Sequence, residues 1–519
     1  MIYDFAELTP SPNINWTPCF EGYACTNLEV PLDYADASAG TTNIAFIKYS
    51  SSNESAQDIL FNPGGPGSSG VQYVVGGGET LQQTLGTQYN IVSFDPRGVN
   101  NSGPAMTCFP GAPEARAQYT GASTTAPLPE LFQSAKAYGE WCSAANKDTQ
   151  AKYGGTAAVA QDMLHFIELQ NIQYGHPGNE AKLWYYGVSY GTVLGQTFAA
   201  LFPDRVGRMI LDGNVFGVEH YTGLVPSDVD DTDDAFHFFF KDCFNAGPEL
   251  CAFYGNSTSI EEIEERYRNL LQSLEDSPIT VTDPKFGAPS VITQTAFSSW
   301  AFSSTLYGPL TGFPLLATVA AALEQGNGTV FMEANAAPSA MTSAYGAYAK
   351  NANYSSQEAL GLITCVDANT RFNVTSVEQF EEVVDTYMGK SFYGGKTTAL
   401  NNGRLCVGMS ITPPPSQIFP GFKCTNTSFP ILFIGTTGDP VTPLSSAYKM
   451  SALFEGSVVL TQDSPGHGFL ATGSDCTTKY VQAYMAEGTL PEPDTVCQPA
   501  AVPFIPSTNS KALRVRTFV

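Results

Sequence analysis

A serine with one glycine two residues before it and another two residues after it is the first residue of this sequence whose surroundings indicate chemistry. The pentapeptide Gly187-Val-Ser-Tyr-Gly191 lies between a predicted strand at residues 182–186 and a predicted helix at residues 192–202. A sharp turn at such a junction strains the serine backbone, lifts the hydroxyl clear of the sheet and leaves space only for glycine on either side. We therefore predict Ser189 as a nucleophile.

A serine hydroxyl is a poor nucleophile at neutral pH and needs a general base. His467 lies in a loop of small residues, 463–468, just beyond the last predicted strand, and the turn implies the chain order Ser, Asp or Glu, His. It is therefore our predicted base. The other four histidines lie in a helix, upstream of the serine or in a later helix-rich region, and are His165, His176, His220 and His237.

The residue that orients the base should follow the strand before it. Asp439 comes directly after a predicted strand at residues 430–435, and its carboxylate there would accept a hydrogen bond from the imidazole and fix its tautomer. An aspartate before a proline is more often a turn residue, and Asp463 is a competitor within the loop of His467. The position of Asp439 after a strand, and its spacing from His467, make it our predicted third member.

Acyl transfer also needs donors for the oxyanion. The backbone N–H of Tyr190, the residue after the nucleophile, is one predicted donor. The other is predicted from the glycine-rich loop at residues 63–70, after a strand at residues 58–62, where Gly65 is preferred and Gly64 stays an alternative. A plain tight turn is the competing interpretation of this loop.

Short apolar runs alternate with helical patterns through the first part of the chain, which predicts a mostly parallel sheet flanked by helices, an α/β fold. Further strands are predicted at residues 89–95, 208–212 and 456–461, and a helix at residues 156–170. Residues 215–424 are helix-rich. We expect a core formed by residues 1–214 and 425–519, with a helical lid at 215–424 inserted between the late strands.

The charge balance argues against several partners. The chain has 24 Lys and Arg against 49 Asp and Glu, a net charge of −25, so it would repel nucleic acid and anionic lipid. No apolar run is long enough to predict a membrane span. No His-Glu-x-x-His or Walker-type sequence predicts a metal or a nucleotide, and we expect no cofactor and no metal.

Cysteines and glycosylation signals favour the secretory pathway. Spacing alone does not determine disulfide connectivity, but among the 11 cysteines we expect bridges 19–25, 108–142, 243–251, 365–406 and 476–497, with Cys424 unpaired. Eight Asn-x-Ser/Thr sequons predict N-glycans. We expect a secreted protein whose signal peptide has been removed, with the vacuole as an alternative site and a cytosolic protein as the competing interpretation. The sequons begin at Asn15, Asn53, Asn100, Asn256, Asn327, Asn353, Asn373 and Asn426.

Five motifs, taken together, resemble one family over residues 16–497. They are Asn62-Pro-Gly-Gly-Pro-Gly67, Asp95-Pro-Arg-Gly98, Gly187-Val-Ser-Tyr-Gly-Thr192, Gly438-Asp-Pro-Val-Thr-Pro443 and Ser464-Pro-Gly-His467. The sequence is similar to the tripeptidyl aminopeptidase branch of the prolyl aminopeptidase-like serine peptidases, and most similar to secreted fungal members. The resemblance implies an α/β-hydrolase fold. It also implies that acidic lid residues hold the free amino terminus of the peptide, but those positions are not matched here.

The resemblance predicts an aminopeptidase that releases short peptides or single residues from free N-termini. The same residues would also serve an ester, lactone or thioester hydrolase or an acyltransferase, so the expected substrate is a peptide or a small acyl compound. A binding protein without activity is disfavoured, since every catalytic position is present. The acidic run at residues 228–234 has three interpretations: a solvated helix N-terminus, a site for a substrate ammonium group, or a calcium site.

Overall fold

A ten-stranded sheet lies at the centre of the protein, as described by a computed structural model for residues 1–123, 125–336, 351 and 354–506. The strand order is β1-β2-β3-β5-β4-β6-β7-β10-β11-β12, and β8 pairs separately with β9. The strands are β1 (Thr17–Cys19), β2 (Tyr23–Pro31), β3 (Thr41–Tyr49), β4 (Asp58–Asn62), β5 (Asn90–Phe94), β6 (Leu183–Ser189), β7 (Val206–Asn214), β8 (Ile279–Val281), β9 (Ser290–Ile292), β10 (Leu432–Gly438), β11 (Val458–Pro465) and β12 (Val496–Cys497).

Most of this sheet is parallel, as expected. Strands β4 to β7 and β10 to β12 pair in parallel, whereas β1, β2 and β3 pair antiparallel and β3 joins β5 antiparallel. All five residues of β4 and of β5 are buried, which is typical of strands covered on both faces. The predicted central strands are confirmed within a few residues, while the antiparallel ribbon β1–β3 was not predicted.

Helices cover both faces of the sheet. One face packs against α4 and α5 through residues such as Met163, Phe166 and Phe198. The other face packs against α1 and α16 through residues such as Val74 and Val481. The α-helices that contribute to these layers and to the ends of the sheet are α1 (Gly70–Leu85), α2 (Pro113–Gln118), α3 (Leu128–Ala145), α4 (Thr156–Gln173), α5 (Tyr190–Leu201), α15 (Leu444–Ser451) and α16 (Asp475–Glu487).

The chain between β7 and β10 is mainly helical. Its α7, α8, α9 and α10 share an aromatic core that includes Phe236, Phe239, Tyr267 and Phe313, and we call residues 215–424 the insert. Among the helices that the structure describes, none could span a bilayer. The helices of the insert are α6 (Gly217–His220), α7 (Thr232–Ala246), α8 (Ile260–Asp276), α9 (Gln294–Thr305), α10 (Pro309–Glu324), α11 (Thr329–Ala336), α12 (Ser356–Ala368), α13 (Val377–Lys390) and α14 (Gly395–Asn402).

Five disulfides join the expected cysteines, 19–25, 108–142, 243–251, 365–406 and 476–497, and Cys424 is unpaired. The sequons differ in exposure. Asn100 is only 5% exposed and donates to Ser69 Oγ and Asp95 Oδ2. The side chain of this sequon is therefore buried and already used in hydrogen bonds within the protein. Asn353 lies outside the described residues. The exposed sequons begin at Asn15, Asn53, Asn256, Asn327, Asn373 and Asn426.

A buried ion pair joins the loop after β5 to helix α4. Arg97 is fully buried and binds both carboxylate oxygens of Asp162, at 2.7 and 2.8 Å. Its other N–H groups donate to the carbonyl oxygens of Pro31, Leu32 and Tyr153. All five guanidinium donors are therefore used, and the pair fixes the segment that follows β2 against the core.

We expect Asp162→Asn to lower the free energy of unfolding by about 3–5 kcal/mol, because it leaves a buried guanidinium without its counter-charge. Chemical denaturation of the purified protein measures this change. The matched control is Glu140→Gln in the exposed pair Lys136–Glu140, at 3.9 Å, where we expect less than about 1 kcal/mol. Equal effects of the two substitutions would contradict a structural role for the buried pair.

Candidate active site

Ser189 lies where strand β6 meets helix α5 without an intervening residue. Its backbone angles are φ 58° and ψ −127°, a conformation that costs a residue with a side chain about 1–3 kcal/mol. A Cβ atom at Gly187 would lie 2.4 Å from the carbonyl oxygen of Gly191, and one at Gly191 would lie 2.5 Å from that of Asn62. The predicted strained turn and the need for its flanking glycines are therefore confirmed.

Asp439 and His467 are in direct contact. Nδ1 of His467 lies 3.1 and 3.0 Å from the two carboxylate oxygens of Asp439. The carboxylate, which is fully buried, also accepts the backbone N–H groups of Val441, Thr442 and Gly468 and the hydroxyl of Thr442. Burial alone would raise the pKa of Asp439, but the charge and hydrogen bond of His467 and these other donors lower it. The aspartate is held as an anion.

The three predicted residues lie at or just after the carboxyl ends of three parallel strands, at one edge of the sheet. Ser189 ends β6, Asp439 follows β10, and His467 follows β11, and the carboxyl ends of parallel strands share an edge. Ser189 lines a cavity of about 690 Å³ together with Thr442 and Tyr307. Thr442 Oγ1 lies 3.0 Å from His467 Nδ1, and the Tyr307 ring centre lies 5.1 Å from that of His467.

Within the described part of the chain, no hydrogen bond joins Ser189 Oγ to His467. Such bonds are often long without substrate and tighten when substrate binds. The loop of His467 is held from the insert, because Tyr307 accepts the His467 backbone N–H at 3.0 Å. The structure therefore brings Asp439 and His467 together directly and places Ser189 in the cavity beside the groups that contact His467.

A second buried carboxyl group, which the sequence patterns did not single out, lies near His467. Asp212 is in β7 and accepts the Tyr186 hydroxyl at 2.9 Å and the Phe469 N–H at 3.1 Å. Burial raises the pKa of Asp212 to about 7. For His467, burial lowers the pKa, but the charge and hydrogen bond of Asp439 and the charge of Asp212 outweigh it, so the pKa is raised.

The glycine-rich loop packs directly on the serine turn. A Cβ atom at Gly64 would lie 2.7 Å from Ser189 Cβ. The Gly64 N–H already donates to Asn62 Oδ1 at 3.0 Å, whereas Gly65 lines the cavity and its N–H has no acceptor among the described residues. Tyr190 occupies the first position of α5, where no intrahelical acceptor exists. This geometry favours Gly65 over Gly64 as the partner of Tyr190.

The competing residues have other partners or face solvent. His220 Nε2 lies 2.9 Å from Asp367 Oδ2, and the His165 ring packs 5.7 Å from that of Tyr34. His176 and His237 are exposed. Asp463 is exposed as well and accepts the Thr437 hydroxyl at 2.9 Å. Thr442 was missed by the sequence analysis, although a hydroxyl residue three positions after the predicted aspartate is a usable signal.

The acidic run at residues 228–234 divides into separate roles. Asp230 pairs with Lys390 at 2.5 Å, and Asp231 and Asp233 accept backbone N–H groups from other segments. Asp228 differs because it lines the cavity of Ser189 and its buried Oδ1 has no hydrogen-bond partner. Burial, with the nearby charges of Glu219, Asp439 and Asp230, raises the pKa of Asp228 well above its ordinary value.

Two family models match this chain. Residues 59–307 match the alpha/beta hydrolase fold, and residues 392–497 match the TAP-like protein family. A solved alpha/beta hydrolase enzyme from a Medee basin deep-sea metagenome library is similar at 10% identity with a TM-score of 0.33, covering 87% of this chain and 97% of the other.

Three relatives span nearly the whole chain. Serine protease Hip1 of Mycobacterium tuberculosis is 26% identical over 93% of this chain and 91% of its own. Tripeptidyl aminopeptidase of Streptomyces lividans is 24% identical over 94% and 87%. Carboxylesterase B of Mycobacterium tuberculosis is 25% identical over 94% and 91%. All three are bacterial, so they give no support to the expected fungal affinity.

The parallel sheet, the strained serine turn and the family models agree. The names of the three relatives include two peptidases and an esterase, which share hydrolysis as a reaction class. The chain has the α/β-hydrolase fold with a TAP-like region at residues 392–497, and it is a hydrolase.

Proposed function

We propose that this hydrolase is a serine aminopeptidase that releases short peptides or single residues from free N-termini. The observation that carries the proposal is the unpartnered carboxyl group of Asp228, which lines the same cavity as Ser189. A substrate ammonium group would lower the raised pKa of Asp228 and stabilise its ionised form. The relatives named serine protease and tripeptidyl aminopeptidase support a peptide substrate.

In the proposed reaction, Ser189 Oγ attacks the scissile carbonyl carbon while His467 accepts its proton. The N–H groups of Gly65 and Tyr190 hold the oxyanion as the tetrahedral intermediate forms. His467 then donates the proton to the leaving amine, and water, activated by the same imidazole, releases the acyl group. Asp439 stays ionised throughout and stabilises the imidazolium.

The insert would act as the lid over this site, on a core formed by residues 1–214 and 425–519. Three contacts support that role. Phe302 in α9 and Asp228, which precedes α7, line the cavity. Tyr307 accepts a hydrogen bond from the loop of His467. A cavity walled by the insert favours the end of a peptide over the middle of a chain, because an internal segment needs an open groove.

An ester substrate is the second candidate. The similarity to Carboxylesterase B is as extensive as that to the peptidases, and the proposed reaction applies equally to an ester, lactone or thioester. An esterase would have no need of Asp228, so the two candidates differ at that residue. An acyltransferase would replace water by another acceptor in the second step.

We also propose that the protein is secreted and N-glycosylated, with the vacuole as an alternative location. The five disulfides support an oxidising compartment. Six sequons are exposed on the surface. A similarity to secreted fungal enzymes remains part of this proposal.

We expect tripeptide arylamides with a free amine to be cleaved and their N-acetylated versions to be cleaved at least about 100-fold less efficiently. Asp228→Asn should lower kcat/KM for the free-amine substrates by about 10- to 100-fold, the size of a hydrogen bond to a charged group. It should leave aryl ester turnover unchanged. Steady-state kinetics on purified protein measure both effects.

The matched control for this experiment is Asp234→Asn, an exposed aspartate of the same acidic run, for which we expect no kinetic change. Equal cleavage of free and acetylated substrates by the wild type would contradict the aminopeptidase. Rapid ester turnover without any arylamide cleavage would favour the second candidate.

The pH dependence should report His467, which must be neutral to accept the serine proton. Because the pKa of His467 is raised, the acid limb of kcat/KM should have its midpoint above about pH 6.5, the ordinary histidine value. Because the pKa of Asp212 is about 7, Asp212→Asn removes only part of a negative charge near the imidazole and should move that midpoint to lower pH by less than about 1 unit. Asp463→Asn, an exposed carboxylate of the same loop, should leave the midpoint in place. Histidines titrate between about pH 5 and 8. A kcat/KM that stays constant across this range would exclude His467 as the base.

A further inference from the structure

A basic side chain, whose charge is opposite in sign to that of a carboxylate at Asp228, also lines the cavity. Arg404, two residues after the end of α14, is half-buried there. Its guanidinium forms no hydrogen bond or ion pair with the residues that the structure describes. Several other arginines have carboxylate partners, as in the pairs of Arg205 with Glu168 and Arg266 with Glu324.

The surroundings of Arg404 do not compensate its charge. Burial lowers the pKa of Arg404, and only the nearby phenol of Tyr119, a group type that is uncharged at neutral pH, acts in the other direction. Arg404 differs in this from Arg371, which donates to backbone carbonyl oxygens, and from Arg208, whose guanidinium packs on the ring of Phe429. An anion entering the cavity would relieve the cost of desolvating the guanidinium.

Helix α14 supplies an independent observation beside this cation. Thr398 is 7% exposed, lines the cavity, and its Oγ1 has no hydrogen-bond partner. Asn401 and Asn402 lie one turn further along α14 and line the cavity as well, because residues three and four apart share a helix face. An unpartnered hydroxyl, two amides and a guanidinium therefore line the same cavity.

The charges on the cavity are also separated. Among the described lining residues, Asp228 is the one with a carboxyl group and Arg404 the one with a basic side chain. They form no ion pair with each other, and each lacks a partner of its own. A ligand with one positive and one negative group would satisfy both, while Ser189 lines the same space.

We propose that Arg404 and Thr398, with Tyr119 beside them, form a carboxylate-binding subsite, so that the enzyme prefers peptides carrying a carboxylate in addition to their free amine. A guanidinium binds a carboxylate through two parallel N–H donors, and a hydroxyl can add a third. The carboxylate comes either from an acidic side chain or from the C-terminus of a short peptide. This inference rests on the proposed aminopeptidase function.

The experiment compares matched substrates that differ only in the carboxylate. Free-amine tripeptide arylamides with Glu or Gln at each position test the side chain. Short peptides ending in a free acid or an amide test the C-terminus. Wild-type enzyme should prefer the carboxylate member of at least one pair by about 10- to 100-fold in kcat/KM.

Arg404→Met should abolish that preference, lowering kcat/KM about 10- to 100-fold for the carboxylate member and leaving its neutral counterpart unchanged. Arg404→Lys keeps the charge without the two-pronged geometry and should be intermediate. Thr398→Val should weaken the preference by about 3- to 10-fold. Lys396→Met, an exposed cation on the same helix, is the control and should change nothing.

A response confined to the Glu and Gln pair assigns the carboxylate to a side chain, and one confined to the acid and amide pair assigns it to the C-terminus. Equal loss on carboxylate and neutral members, in a variant that folds as judged by circular dichroism, would overturn the subsite. No preference in the wild type would overturn it too, while leaving the aminopeptidase intact.

If no peptide is cleaved, the aminopeptidase proposal fails, and aryl esters test the subsite alone. Wild-type enzyme should then prefer the hemiglutarate ester over the pentanoate ester, and Arg404→Met should remove that preference. Equal turnover of the two esters by wild type and variant would reject the subsite independently of the peptidase.

Discussion

A fully buried carboxylate is the constraint on which this site depends. An anion without exposure is stable only when donors surround it, and Asp439 has them from its own loop and from the loop of His467. Because Asp439 engages Nδ1 of the imidazole, Nε2 is left for the substrate side. One desolvated charge thus sets the tautomer of His467 and fixes two loops that follow different strands. Thr442 contributes both a backbone and a side-chain donor, so the residue does more than continue a turn.

The insert takes part in this arrangement. Thr232, at the start of α7, donates to the carbonyl oxygen of Pro440, the residue after Asp439. On the other side, His220 of α6 and Thr156 of α4 both bind the carboxylate of Asp367 in α12, and the Thr156 hydroxyl contacts that of Tyr190. A buried polar chain therefore runs from the insert to the residue after Ser189. Buried networks of this kind rigidify what they join when all members are satisfied, so we infer that the insert positions the site as well as covering it.

Sequence reasoning succeeded where chemistry demands a local pattern. Ser189 needs glycines beside it because neighbouring backbone atoms leave no space for a Cβ, and that requirement is visible in the sequence. His467 could be selected because few histidines compete and its place after a strand is distinctive. Asp212 and Arg404 could not be selected, since their roles arise from burial and from a missing partner, which only the three-dimensional packing defines. The antiparallel ribbon β1–β3 was missed for a related reason: its strands gain their stability from pairing with distant segments, not from a strong local signal.

The most direct test of the assembled site is a crystal structure of the protein after reaction with a fluorophosphonate. The account predicts phosphorus bonded to Ser189 Oγ, with the phosphoryl oxygen about 2.7–3.1 Å from the backbone nitrogens of Gly65 and Tyr190. It also predicts His467 Nε2 within about 3.2 Å of Ser189 Oγ, while Nδ1 stays on Asp439. Modification of another residue, or an imidazole that remains out of reach of the modified serine, would contradict the account.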